Sequence, residues 1–67
     1  MDYNPNILIH FIAGESVIAR KRVCHVPRPG DEVRLWEKFY TVERIVWVYD
    51  EDEILLDRVN IGVTATP

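Results

Sequence analysis

Glu32-Val33-Arg34-Leu35-Trp36-Glu37-Lys38-Phe39-Tyr40-Thr41-Val42 holds two short alternating runs around a polar pair, and the way it is read decides the fold. Successive side chains on a strand point to opposite faces. With Glu37 and Lys38 as a two-residue turn, Leu35 pairs with Tyr40 and Val33 with Val42, so these apolar side chains share one face. The opposite face then carries Arg34 beside Thr41 and Trp36 beside Phe39. Two independent alternations that agree in this way predict a β-hairpin with one buried face and one open face. Glu-Lys lacks the Asn-Gly chemistry that tight hairpins favour, so the turn is the weak point of this register.

Downstream the alternation slips. Tyr40 and Val42 share a parity, whereas the next large apolar residues, Ile45, Trp47 and Tyr49, fall on the other. A β-bulge at Glu43-Arg44 restores the phase and turns Trp47 and Tyr49 toward the core or its rim. Because a bulge bends its strand, a barrel is favoured over a flat meander. Asp50 to Glu53 reads as a solvated hairpin tip. Ile54 to Val63 reads as the last strand, with Leu55, Val59, Ile61 and Val63 on one parity, interrupted by Asp57, and Thr64 to Pro67 as a fraying end.

Upstream, Pro27-Arg28-Pro29-Gly30 ends a strand, since proline donates nothing to a ladder and Pro-Gly is a turn dipeptide. Before it lie two β-rich runs, Ile7 to Ala13 and Val17 to Val26. They flank Gly14-Glu15, where glycine at the first central position suits a type II′ turn. In that register Ile12 faces Val17, Phe11 faces Ile18, His10 faces Ala19 and Ile9 faces Arg20.

Five strands joined mainly by hairpins, over a single domain spanning residues 1–67, predict an all-β fold. The expectation is a small five-stranded antiparallel barrel of the Src-homology-3-like (SH3-like) kind. An open five-stranded sheet and an OB-like (oligonucleotide-binding) barrel are the alternatives. At 67 residues the core is thin. Without staples such cores rarely supply more than about 3–5 kcal/mol of net stability, which makes a partner or a second copy a sensible supplement.

Eight basic against eleven acidic residues give a formal charge of −3, the opposite of a nucleic-acid binder's footprint. At 48% hydrophobic the chain is not of disordered composition. The one cysteine, Cys24, forms no intrachain disulfide and fits a reducing, cytoplasmic setting. Asp2 stands where a secretory leader carries positive charge. No apolar run approaches the roughly 20 residues of a membrane span, so no membrane association is expected.

Val26 to Leu35, then Phe39-Tyr40-Thr41-Val42 and Ile45-Val46-Trp47-Val48-Tyr49, with Arg58-Val59-Asn60-Ile61-Gly62 as a tail, resemble small barrel domains that set a Pro-Gly-Asp turn before one hairpin and an aromatic-Val strand after it. In length and cadence this is similar to short proteins of phages, prophages and plasmids over residues 26–62. The resemblance implies a mobile-element setting in which such proteins bind or inhibit a host protein, and it implies no particular site residue.

Catalysis is not expected, because no convergent set of acid, base and nucleophile can be assembled. Cys24 and His25 are adjacent and point apart on a strand. His10 lies too far along its hairpin to join them in a metal site, and zinc spacing is absent, so no metal or other cofactor is expected. Asp50-Glu51-Asp52-Glu53 lacks the glycine and the following ligands of a calcium loop.

Two sets of residues remain as binding candidates. Trp36 and Phe39, with neighbouring Arg34, project outward together and suit a protein partner or a second copy, as exposed aromatics anchor interfaces. Arg20, Lys21 and Arg22 suit an anion or nucleic-acid contact, or serve as charges that guard a sheet edge. The expected function is thus a small non-enzymatic protein-binding module. A nucleic-acid or nucleotide-binding barrel and a structural subunit of a homo-oligomer are the alternatives.

Overall fold

A computed structural model of the protein describes residues 7–51 and 56–67. The strands are β1 (Ile7–Ala13), β2 (Ser16–Val23), β3 (Glu32–Leu35), β4 (Lys38–Tyr49) and β5 (Leu56–Ala65). They form one five-stranded sheet in the order β2-β1-β5-β4-β3, strongly curled into a half-barrel.

The all-β class and the five strands are as the sequence predicts. A purely antiparallel, closed barrel is not what forms: β1 runs parallel to β5, with Ile9 opposite Val59 and Phe11 opposite Ile61. The reason is directional. When every strand reverses the one before it, the first and fifth run the same way, so any fold that sets them side by side must pair them in parallel. The other neighbours, β1 with β2, β3 with β4 and β4 with β5, are antiparallel. The two edge strands, β2 and β3, face each other across an unpaired gap.

Ile9, Phe11, Ala19, Leu35, Val42, Val59, Ile61 and Val63 are buried and make up the core. The registers place all of them on the inner face. Phe11 sits between Ala19 and Ile61, Ile9 beside Val59, and Val42 beside Val63. On β4 this works only because the ladder skips Glu43: Val42 pairs with Val63 and Arg44 with Gly62. The bulge therefore falls where the slipped alternation predicts it, and it brings Ile45 opposite Ile61 and Trp47 opposite Val59.

Several details differ from the sequence expectation. In the first hairpin Ile12 does face Val17, but a bulge at Ile18 then displaces the register, so Phe11 faces Ala19, His10 faces Arg20 and Ile9 faces Lys21. β2 ends at Val23, short of Val26. The second hairpin turns at Trp36-Glu37 and not at Glu37-Lys38, pairing Leu35 with Lys38, Arg34 with Phe39 and Val33 with Tyr40. Trp47 and Tyr49 remain 48% and 56% exposed, because the core narrows toward the end of β4. Thr64 to Pro67 does not fray as a unit. β5 continues to Ala65, the Thr66 N–H donates to the Phe39 carbonyl at 2.8 Å, and the Thr41 and Thr66 hydroxyls lie 3.1 Å apart. Asp52 to Leu55, part of the expected acidic tip and the expected start of the last strand, lie outside the described residues.

Turn chemistry follows the backbone. Gly14 has a positive φ of 65° and Glu15 does not, as a type II′ turn requires. Pro29 and Gly30, the latter at φ 96°, form the centre of a turn closed by the Asp31 N–H donating to the Arg28 carbonyl at 3.0 Å. Val42 then ties this turn to β4, since its carbonyl accepts from the Gly30 N–H and its N–H donates to the Asp31 carbonyl, both at 2.8 Å.

Candidate binding surface

With the core confined to one face of the sheet, the other face is left to the solvent-directed residues, and the registers assign them. Across β2, β1, β5 and β4 one row reads Arg22, Leu8, Arg58 and Val48, and the next Arg20, His10, Asn60 and Val46. A third runs from Val17 through Ile12 and Gly62 to Arg44. On β3 and β4, Arg34 stands opposite Phe39 on this same face. Every arginine of the chain except Arg28 is thereby gathered on one side of a protein whose net charge is −3.

Apolar side chains lie among these cations: Phe39 is 51% and Val46 37% exposed. Gly62 has no side chain, and a groove of about 550 Å³ opens over it between Ile12, Val46, Arg44 and Asn60. Carboxylates on this side include Glu32, which shares the parity of Arg34 and stands opposite Thr41 in the ladder, and two that sit at irregularities of the sheet. Glu43 is the residue skipped by the β4 ladder, and Asp57 is skipped by β5, where Tyr49 pairs with Leu56 and Val48 with Arg58. Asp57 is held by the Arg58 guanidinium at 2.6 Å, and Arg58 also donates to the Asn60 side chain at 3.2 Å.

His10 sits among these cations. Its partial burial, then the charges of Arg20 and Arg58, hold its pKa below the ordinary imidazole value, and Asp57 opposes them. A histidine whose folded pKa is depressed binds its proton more readily unfolded, so stability falls as pH drops through the unfolded value near 6.5 toward the folded one. The His10→Gln variant is expected to lose less stability than the parent between pH 7 and pH 5, as read from urea unfolding at each pH. An equal loss would show that His10 is not the titrating group.

The sequence candidates divide between two places. Arg34 and Phe39 meet on the outer face, together with Arg20 and Arg22. Trp36 does not lie beside Phe39. It occupies the β3–β4 turn, where its indole N–H donates to the Ile18 carbonyl of β2 at 3.1 Å and the Lys21 ammonium lies 5.2 Å from its ring centroid. Trp36 and Lys21 thus bridge the gap between the two edge strands, although the Trp36 ring is still 71% exposed. Arg44 and Arg58 complete the outer arginine set. Sequence reading missed them because they come from separate strands and form no local run.

A second groove, of about 400 Å³, lies at the inner end of the sheet between Ile45 and Trp47 and the segment Cys24 to Pro29. Cys24 and His25 both line it, whereas His10 is on the outer face. Among the described residues no group of three or more His, Cys, Asp or Glu is placed to hold a metal ion, and no helix is long and apolar enough to cross a membrane. Comparison with protein-family models, curated proteins and solved structures gives no match to the chain.

Proposed function

We propose that the protein is a non-catalytic binding module whose outer sheet face receives an acidic protein surface. One observation carries this reading: Arg20, Arg22, Arg34, Arg44 and Arg58 share the face that also exposes Phe39 and, at the Gly62 groove, Val46. Clustered guanidiniums suit carboxylates, through bidentate hydrogen bonds, and a groove that Ile12 and Val46 share with Glu43, Arg44 and Asn60 suits an anchoring side chain. The charges steer the encounter and the groove supplies burial. A phage-type protein that blocks a host protein is the setting this proposal favours, with a cytoplasmic location and an SH3-like ancestry for the curled sheet.

A nucleic acid would also be drawn to arginines, but among the described residues Phe39 is the one Phe, Tyr or Trp ring beside them, and platforms for single strands rely on several stacking rings. The protein reading is the better supported.

The test uses the tagged full-length protein as bait in lysate of its native host, with mass spectrometry of what it captures. Gly62→Val and the pair Arg20→Glu with Arg22→Glu serve as variants. A Cβ at Gly62 meets nothing closer than ordinary contact, the Arg44 Cβ at 3.5 Å, and the groove lies open above it, so Gly62→Val is expected to fold while filling the groove. An acidic protein captured by the parent and lost with both variants is the expected result. Capture unchanged by either variant, or abolished by nuclease treatment, overturns it.

A further inference from the structure

The arginines of the outer face are not equally free. Arg58 is committed within the chain: its guanidinium holds the Asp57 carboxylate at 2.6 Å and donates from Nε to the Asn60 Oδ1 at 3.2 Å. Asn60 is thereby oriented, with its side-chain oxygen taken and its amide NH2 group left to donate. Arg20 makes no hydrogen bond or ion pair among the described residues, so its guanidinium keeps every donor for a ligand.

His10 stands between these two donors. The registers set Arg20 opposite it on β2 and Asn60 opposite it on β5, and all three side chains share the outer face. Side chains opposite one another start about 5 Å apart, so a group seated over His10 is within reach of both flanking residues. The charged groups around the ring are Arg20 and Arg22 from β2 and Arg58 and Asp57 from β5, while its own strand presents only Leu8 and Ile12 on this face. Three guanidiniums meet a single carboxylate there, and Arg58 already occupies it. Partial burial, Arg20 and Arg58 keep the imidazole neutral to a lower pH than usual. An arriving carboxylate reverses the balance of charge at the ring, and the imidazolium then donates to it as well.

We infer that a carboxylate of the partner docks between Arg20 and Asn60, against His10, and that His10 takes up a proton from solvent as the two join. This rests on the outer face being a receptor for an acidic protein, and adds where a carboxylate lands and how pH governs the contact. Protonation and binding then favour each other, so affinity rises as pH falls through the titration of His10. The gain is full below the His10 pKa of the free protein and is gone above that of the complex.

The probe is rhodamine-labelled hexaglutamate, whose side chains stay largely ionised down to pH 5.5. Its binding to the full-length protein is read by fluorescence anisotropy at low ionic strength. The parent is expected to bind about threefold more tightly at pH 5.5 than at pH 7.5, the worth of one further charge pair near a protein surface. His10→Gln is expected to bind alike at both, and His25→Gln, which alters the other histidine of the chain, to behave as the parent. Asn60→Asp keeps the side-chain size, sets a carboxylate against the docking one, and is expected to weaken binding about threefold or more. By NMR, the His10 ring of the parent is expected to titrate at higher pH with the peptide than without it. Circular dichroism checks that each chain is folded at both pH values, and if a variant is not, the NMR titration of the parent decides. Equal affinity of the parent at both pH values, a pH dependence that survives His10→Gln, or undiminished binding by Asn60→Asp overturns the inference and leaves the arginine face a receptor. No binding at either pH, with the His10 ring titrating alike with and without peptide, overturns both.

Discussion

An Ile61→Ala chain is expected to show no folded baseline in a urea titration at 25 °C. Ile61 is fully buried and stands where the two halves of the sheet meet, opposite Phe11 across the parallel seam and opposite Ile45 across the antiparallel one. Removing its side chain costs the transfer term and leaves a cavity that strands on both sides hold open, together about 2–5 kcal/mol. A single core at this chain length rarely supplies more than roughly 3–5 kcal/mol, so the substitution removes most or all of the margin. Val17→Ala, in an exposed position of the first hairpin, is the control and is expected to change stability by no more than about 0.5 kcal/mol. Circular dichroism at one fixed protein concentration reads both, which keeps any self-association from entering the comparison. A cooperative transition within about 1 kcal/mol of the parent for Ile61→Ala would mean that the seam is not where this fold concentrates its stability.

The importance of that seam was not visible in the sequence, and the reasons are specific. The second hairpin was legible in its faces but not in its turn. Moving a two-residue turn back by one position displaces each cross-strand pair by two residues, and a period of two leaves every side chain on its original face. Val33, Leu35, Tyr40 and Val42 therefore share the inner face although the pairing among them differs. The bulge at Glu43 was legible because the apolar parity visibly breaks between Val42 and Ile45. The bulge at Ile18 was not, because Val17, Ile18 and Ala19 are all apolar and a displaced register leaves no mark in such a run.

Parallel pairing of β1 with β5 follows from counting reversals, but nothing in the residues of either strand says that the two are neighbours. The outer face was hidden for a related reason. Arg20 and Arg22 stand out as a run, whereas Arg34, Arg44 and Arg58 are isolated in sequence and acquire a common side only through registers across β3, β4 and β5. Trp36 was read as an outward residue of a strand and is instead a turn residue that reaches another strand, a contact between positions 18 and 36 that no local pattern encodes.

The Trp36-Glu37 turn supplies a second expected result, in which neighbouring substitutions have opposite signs. Both residues have positive φ, 56° and 69°, as the type I′ geometry of a tight hairpin demands, and neither is a residue that accepts this conformation without strain. The left-handed region costs an ordinary residue about 1–2 kcal/mol. Glu37 makes no compensating contact among those described, so Glu37→Gly is expected to stabilise the chain by about 1 kcal/mol, part of the relief being offset by glycine's greater freedom when unfolded. In a domain of this size that is a rise in Tm of about 4–8 °C.

Trp36→Asn also relieves the backbone, since asparagine tolerates this region, but it removes the hydrogen bond to Ile18 and the contact with Lys21. Those are worth about 0.5–1.5 and 0.5–1 kcal/mol at exposed sites. The net result is expected to be a loss, with faster amide hydrogen exchange along β2, whose free edge Trp36 fastens toward β3. A Lys21→Ala change is then expected to cost the parent more than it costs the Trp36→Asn chain, because the contact it deletes is already gone. A rise in Tm for Trp36→Asn equal to that for Glu37→Gly would mean that the indole fastens nothing. A loss, beside the gain at Glu37, locates the reason for a strained tryptophan in a hairpin turn: the strain of the turn is borne for a side chain that holds the open edges of the half-barrel together.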